Sequence, residues 1–221
     1  MEKIKDIILK IEKYAIIPVV EIDSLDHVEP LVNALVDGGL PIVEITFRTE
    51  AGQKAINTIK KKWPKVILGA GTILTVDQLR LAQDSGADFG VSPGLNYKLV
   101  EESLKVGFIF TPGIATPTEI EMAIGYGIRV LKFFPAESLG GLKYLNDIYA
   151  PYAHLNLRFN PTGGITLKNM DEYINFKAVY AVGGTWIARK DLISNGRWDE
   201  IRNNADMAVN KVKRLRKNFR R

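Results

Sequence analysis

The sequence predicts an α/β fold: a single (β/α)8 TIM barrel over residues 1–221, with one extra helix at the N-terminus. Three observations carry that expectation. Eight short apolar runs recur along the chain, separated by stretches long enough for one helix and two loops. Those stretches hold apolar residues at helical spacing. The polar and special residues collect where the runs end, which is where barrels of this kind keep their chemistry. A chain of 221 residues that is 46% hydrophobic can bury one large core.

Residues 1–14 alternate charge with Ile and Leu and read as an amphipathic helix, without the apolar centre and small-residue cleavage site of a secretory signal. The apolar runs fall near 16–20, 42–47, 66–68, 88–91, 107–110, 129–134, 155–160 and 178–182. In 24–37, Leu25, Val28, Leu31, Val32 and Leu35 hold helical spacing, and Gly38-Gly39 stops it. Thr75 with Gln78 makes a capping box for a helix that runs out at Gly86. Thr116, Pro117 and Glu119 supply a cap, a proline at the first helical position and the box acid. A last helix, about 197–217, keeps Ile201, Ala205, Ala208, Val212 and Leu215 on one face. The rival fold, an open doubly wound sheet, would want Gly-x-Gly-x-x-Gly after its first strand, and Glu21-Ile-Asp-Ser-Leu25 stands there instead.

Composition narrows the function. Cysteine is absent, which removes disulfides, thiolate chemistry and cysteine-bound zinc, and the two histidines, His27 and His154, fall on the first helix and before the seventh run. No His-acid cluster occurs at a strand end, so no metal site is expected. No apolar run approaches the ~18 residues of a membrane span. A cytoplasmic protein without a membrane partner is expected. The formal charge of +5 is concentrated at one end: 211–221 carries seven Lys or Arg and no acid, and the remainder is slightly acidic. A solvated helix end, with cations at the negative pole of the helix dipole, accounts for this tail better than nucleic-acid binding, which would want a motif or aromatic support.

The stretch Arg129-Val-Leu-Lys-Phe-Phe-Pro-Ala-Glu137 is the most informative. As a strand it sets Val130, Lys132 and Phe134 on one face and Leu131 and Phe133 on the other. A lysine among apolar side chains is there at a cost, because desolvation disfavours the ammonium; a neutral amine can attack a ketone and form a Schiff base. The alternative is a lysine snorkelling to water. In the second run Ile42, Glu44 and Thr46 face inward by the same parity. A buried carboxylate beside a cation is suited to proton transfer, or is a structural ion pair with Lys132 or Arg48. Arg48 and Thr72 could hold a substrate carboxylate. Gly163-Gly164 and Gly183-Gly184, with Thr185, follow the last two runs, where barrels frequently bind phosphate on backbone N–H groups.

These stretches resemble a known family. Glu-Ile-Thr-Phe-Arg-Thr (44–49), Gly-Ala-Gly-Thr (69–72), Ser-Pro-Gly-Leu (92–95), Thr-Pro-Gly-Ile (111–114), Lys-Phe-Phe-Pro-Ala-Glu (132–137), Pro-Thr-Gly-Gly (161–164) and Gly-Gly-Thr-Trp (183–186) are similar, in this order, to the class I 2-keto-3-deoxy-6-phosphogluconate (KDPG) and 4-hydroxy-2-oxoglutarate (KHG) aldolases. The likeness runs from about residue 5 to 210. It implies Lys132 as the Schiff-base lysine and Glu44 as the general acid/base. Arg48 and Thr72 would hold the pyruvyl carboxylate, and Pro93, Phe134 and Thr162 would shape the pocket. Gly163, Gly164, Gly183, Gly184 and position 185 would bind phosphate; threonine stands at 185 where the family often has serine. It further implies no cofactor beyond the lysine-pyruvate imine, and a homotrimer. The expected reaction is cleavage of KDPG to pyruvate and glyceraldehyde 3-phosphate. Rivals are cleavage of KHG or of the galactonate epimer, decarboxylation of oxaloacetate, and a self-assembling barrel without turnover.

Overall fold

A computed structural model of the chain describes residues 2–218. The order is α1 (Glu2–Tyr14), β1 (Ile16–Val20), α2 (Val28–Asp37), β2 (Ile42–Thr46), α3 (Glu50–Lys62), β3 (Ile67–Gly71), α4 (Val76–Asp84), β4 (Phe89–Val91) and α5 (Tyr97–Val106). There follow β5 (Phe110–Thr111), β6 (Gly113–Ile114), α6 (Pro117–Gly125), β7 (Val130–Phe133), α7 (Gly141–Tyr149), β8 (Arg158–Pro161), α8 (Met170–Asn175), β9 (Val182–Gly184), α9 (Lys190–Ser194) and α10 (Trp198–Asn218). Every strand pair is parallel. One sheet runs β5-β4-β3-β2-β1-β9 and the other β6-β7-β8.

The two sheets meet at two seams. Pro112 lacks an N–H and interrupts one continuous extended segment, so Phe110–Thr111 pairs with β4 while Gly113–Ile114 pairs with β7. The Pro112 carbonyl still accepts from the Lys132 N–H at 2.9 Å. At the other seam, Phe159 bridges Val179 and Thr162 bridges Gly183, and the Asn160 amide donates to the Ala181 carbonyl at 3.0 Å. Parallel strands buried on both faces read as unbroken apolar runs, which is why these runs were visible in the sequence.

Four strands depart from the expected bounds, three of them at glycine or proline; the fourth, β8, begins at Arg158 and not 155, because Ala150–Leu155 is a 3-10 helix. β3 continues through Gly69, Ala70 and Gly71, which the sequence places in a loop. Gly69 is required where the Phe89 ring packs against its backbone. The fifth run extends past 110 through Thr111-Pro112-Gly113, and Gly183-Gly184 belong to β9, which begins only at Val182. The helix expected over 24–37 starts as a 3-10 turn, Leu25–His27, so His27 precedes α2 instead of lying on it. At α4 the Gln78 side chain accepts from the Leu74 N–H, one residue before the cap, while the Thr75 hydroxyl accepts from the Gln78 N–H. The full capping box at Thr116 and Glu119 is present.

The helices pack largely through the faces that the spacing identified: Val28, Leu31, Val32 and Leu35 of α2 and Ile201, Ala205, Ala208 and Val212 of α10 are buried, whereas Leu25 is exposed because it lies in the 3-10 turn before α2, and Leu215 is partly buried. Arg158 pairs with Glu12 of α1 at 2.6 Å, and Arg216 of α10 donates to the Glu12 and Lys13 carbonyls. Of the basic run 211–221, residues 219–221 lie outside the described residues. No described helix is long and apolar enough to cross a membrane.

Phe159 on β8 is fully buried, edge-on to Tyr149 at 5.6 Å, and joins β8 to the helical layer. Phe159→Ala is expected to destabilise the fold by about 3–5 kcal/mol through lost transfer energy and a residual cavity. Urea unfolding checks this: the midpoint should fall with little change in slope.

Candidate active site

β2 and β7 set the centre of the site. The alternation of side chains turns Glu44 and Lys132 inward from these two strands, and Nζ of Lys132 lies 3.5 Å from Oε1 of Glu44. The lysine side chain is 7% exposed and the glutamate 0%, so the lysine does not snorkel to water and the pair stands inside the fold. Neither carboxylate oxygen of Glu44 has a hydrogen-bond partner among the described residues. Gly71, on β3 beside β2, makes room for that carboxylate: a Cβ at 71 would collide with it. Nζ of Lys132 also sits 5.4 Å from the centroid of the half-buried Phe134 ring.

β8 flanks the lysine with polar groups. Asn160 lies in register with Lys132. The buried Thr162 hydroxyl donates toward the Asn160 side-chain oxygen at 3.3 Å. Gly163 and Gly164 follow with φ of +102° and +80°, values that a side chain would strain. Gly183 bridges Thr162, the residue before them, across the seam. Gly184 is covered by the Trp186 ring, and Thr185 is exposed. Thr72 follows β3 directly and has φ +57°, and Pro93 follows β4 with its carbonyl packed on Gly113.

A cleft of about 220 Å³ opens at the same ends of β1, β2 and β9, lined by Glu21, Thr46, Arg48, Thr185, Arg189 and Lys190 among others. Arg48 does not pair with Glu44. It reaches Glu21 at 3.5 Å, and Lys190 reaches Glu21 at 2.6 Å and Asp23 at 3.1 Å. The hydrogen bond from Lys190, assisted by its charge and by Arg48, holds the Glu21 carboxyl below the usual glutamate range. The arrangement offers an amine facing a carboxylate in a water-poor interior, with an arginine, hydroxyls and glycine-rich backbone at the mouth. Such a set can form an imine, move a proton and hold an anion.

Sequence reasoning missed Glu21, Arg189 and Lys190. Glu21 and Lys190 are 169 residues apart, and no local pattern links them. It missed Asn160 too, although an asparagine in an apolar run was a usable signal. Tyr180 is a further unassigned group. It is buried, and burial first, then the Glu44 charge, pushes its phenol above the ordinary tyrosine range, with a hydrogen bond to Thr111 opposing. His27 packs on Trp198 at 5.9 Å between ring centroids, and no described cluster of three or more His, Asp or Glu is placed to hold a metal.

Comparison with known proteins gives one family. The family model for KDPG and KHG aldolase matches residues 7–204. The 2-dehydro-3-deoxy-phosphogluconate aldolase of Haemophilus influenzae is 43% identical over 197 residues, 89% of this chain and 92% of that protein. A KDPG aldolase from Legionella pneumophila, with pyruvate captured at low pH as a covalent carbinolamine intermediate, superposes with a TM-score of 0.86 at 34% identity, covering 90% of this chain and 95% of that one. The Zymomonas mobilis enzyme with 3-phosphoglycerate does so with a TM-score of 0.82 at 34% identity, covering 91% and 94%. With a buried lysine facing a carboxylate at the ends of parallel strands, and relatives matched over nine-tenths of its length, the chain belongs to the KDPG and KHG aldolase family.

Proposed function

We propose that this chain is a class I, Schiff-base aldolase that cleaves KDPG to pyruvate and glyceraldehyde 3-phosphate. The observation that carries the reading is Nζ of Lys132 at 3.5 Å from the fully buried Glu44 carboxylate. Lys132 attacks C2 of the keto acid, and loss of water leaves an iminium. Glu44 takes the proton of the C4 hydroxyl. The C3–C4 bond breaks, its electrons move to the iminium nitrogen to give an enamine, and the aldehyde departs. Glu44 returns the proton to C3, and water hydrolyses the resulting imine to release pyruvate and the free lysine. The iminium is the electron sink, so no further cofactor is called for. A water-poor site strengthens each of these electrostatic contacts.

Around that centre, Arg48 and Thr72 hold the pyruvyl carboxylate, and Pro93, Phe134 and Thr162 border the aldehyde portion. The backbone at Gly163, Gly164, Gly183 and Gly184, with the Thr185 hydroxyl, holds the phosphate. We take the two seams to close eight strands, with β5 and β6 as one, into a single-domain (β/α)8 barrel with its mouth at these residues. We also take the working form to be a cytoplasmic homotrimer with no nucleic-acid partner. The engagement of Lys211 with Asp171 at 2.8 Å, and of Arg216 with backbone carbonyls, supports a structural role for the basic end of α10.

Pyruvate with borohydride is expected to leave a reduced three-carbon adduct, located on Lys132 by peptide mapping; an adduct elsewhere, or none, refutes the mechanism. Run beside it, kcat/KM for KDPG should exceed that for KHG and for dephosphorylated KDPG, since fixed backbone donors go unused without the phosphate, while the galactonate epimer, which keeps the phosphate, reads the preference at C4. Equal values with and without phosphate would make this a general 2-keto acid aldolase, with KHG as its substrate.

Glu44→Gln keeps the side chain's size and removes the base. Turnover of KDPG should fall by about 10²–10⁴-fold, measured as pyruvate release, while trapping at Lys132 persists.

A further inference from the structure

Thr46 is the next inward residue on β2 after Glu44, two positions toward the mouth, and Arg48 is two positions beyond it. Thr46, the last residue of β2, therefore stands one level beyond Glu44, and Arg48 follows in the turn after the strand. Thr46 has no exposure at all, and its hydroxyl has no hydrogen-bond partner among the described residues. A buried hydroxyl left unpaired is destabilising, and valine would fill the same shape without that cost. Thr46 is also among the residues around the cleft that Arg48 and Thr185 line. A buried, unsatisfied donor beside that cleft, on the same strand as Glu44 and just before Arg48, is what a ligand contact requires.

We propose that the Thr46 hydroxyl donates a hydrogen bond to the C1 carboxylate of the bound 2-keto acid, sharing that group with Arg48. This rests on the aldolase reading. Once C2 is bonded to Nζ of Lys132, C1 is a single bond away. A donor just above the Lys132–Glu44 level meets the carboxylate before any more distant oxygen of the substrate. Thr46 is then a substrate-binding residue that sets selectivity for 2-keto acids over simple ketones and aldehydes.

The test uses pyruvate, which has the carboxylate and neither phosphate nor aldehyde portion. Borohydride trapping at Lys132 is measured against pyruvate concentration for the full chain, for Thr46→Val and for Thr46→Ser. The half-saturating concentration should rise about 10–100-fold in Thr46→Val, the usual effect of losing a hydrogen bond to a charged group. It should return close to the native value in Thr46→Ser. The melting temperature of Thr46→Val should equal or exceed the native one, because the buried unpaired hydroxyl is gone; a merely structural threonine would lower it. Thr46→Val trapping pyruvate at the native concentration overturns the proposal. Loss of trapping in Thr46→Val with no recovery in Thr46→Ser also overturns it. If the native chain traps no pyruvate at all, the aldolase reading itself fails, which is a distinct result.

Discussion

The architecture is constrained by one requirement: an amine and a carboxylate must face each other at 3.5 Å in an interior that water scarcely reaches. Taking two such groups out of water costs several kcal/mol per ion if both are charged, and their mutual attraction offsets that only with good geometry. Well-packed apolar residues of the same volume would be as stable or more so. The pair is retained at the expense of stability, as expected of groups that must react. The strands around it are arranged to tolerate it. Ile42, Ile45, Leu131 and Phe133 are fully buried on the same strands and hold both backbones in place, so that neither side chain can swing away.

A second tier of interactions governs the mouth. Arg48 is half exposed and its contact with Glu21 is long, so that pair adds little to stability. Its effect is on position. Glu21 draws Arg48 and Lys190 toward β1 and leaves two cations beside the cleft. A substrate with a carboxylate and a phosphate brings charges complementary to both, and Glu21 competes with it for the same guanidinium. The mouth is therefore a set of exchangeable ion pairs over a fixed, dry floor.

The floor was largely legible in the sequence and the mouth was not. Parity along 42–46 and 130–134 turned Glu44 and Lys132 inward, because alternation is a property of the strand itself and survives any tertiary context. The Gly183-Gly184 pair was legible as special but not as strand: it has no side chains to continue an apolar run, and only the approach of Thr162 and Trp186 explains it. The same holds for Gly69–Gly71. The fifth run reads as ending at 110, yet the chain stays extended through Pro112, which marks a change of hydrogen-bonding partner from β4 to β7. Glu21 and Lys190 escaped because their meeting depends on β1 and β9 being neighbours, which no local pattern states.

The collision waiting at Gly71 has an evolutionary side. Position 71 cannot accept a side chain while glutamate occupies 44, and 69 cannot while phenylalanine occupies 89. Gly69 and Phe89 are register partners on neighbouring parallel strands, and Gly71 meets Glu44 diagonally across the β2–β3 pair, so neither member of either contact drifts independently. A lineage that enlarged 71 first would displace the Glu44 carboxylate; one that shortened 44 first would leave buried Lys132 without its partner. The third strand should thus be among the slowest-changing parts of the sheet, held there by Glu44 beside it and not by packing alone.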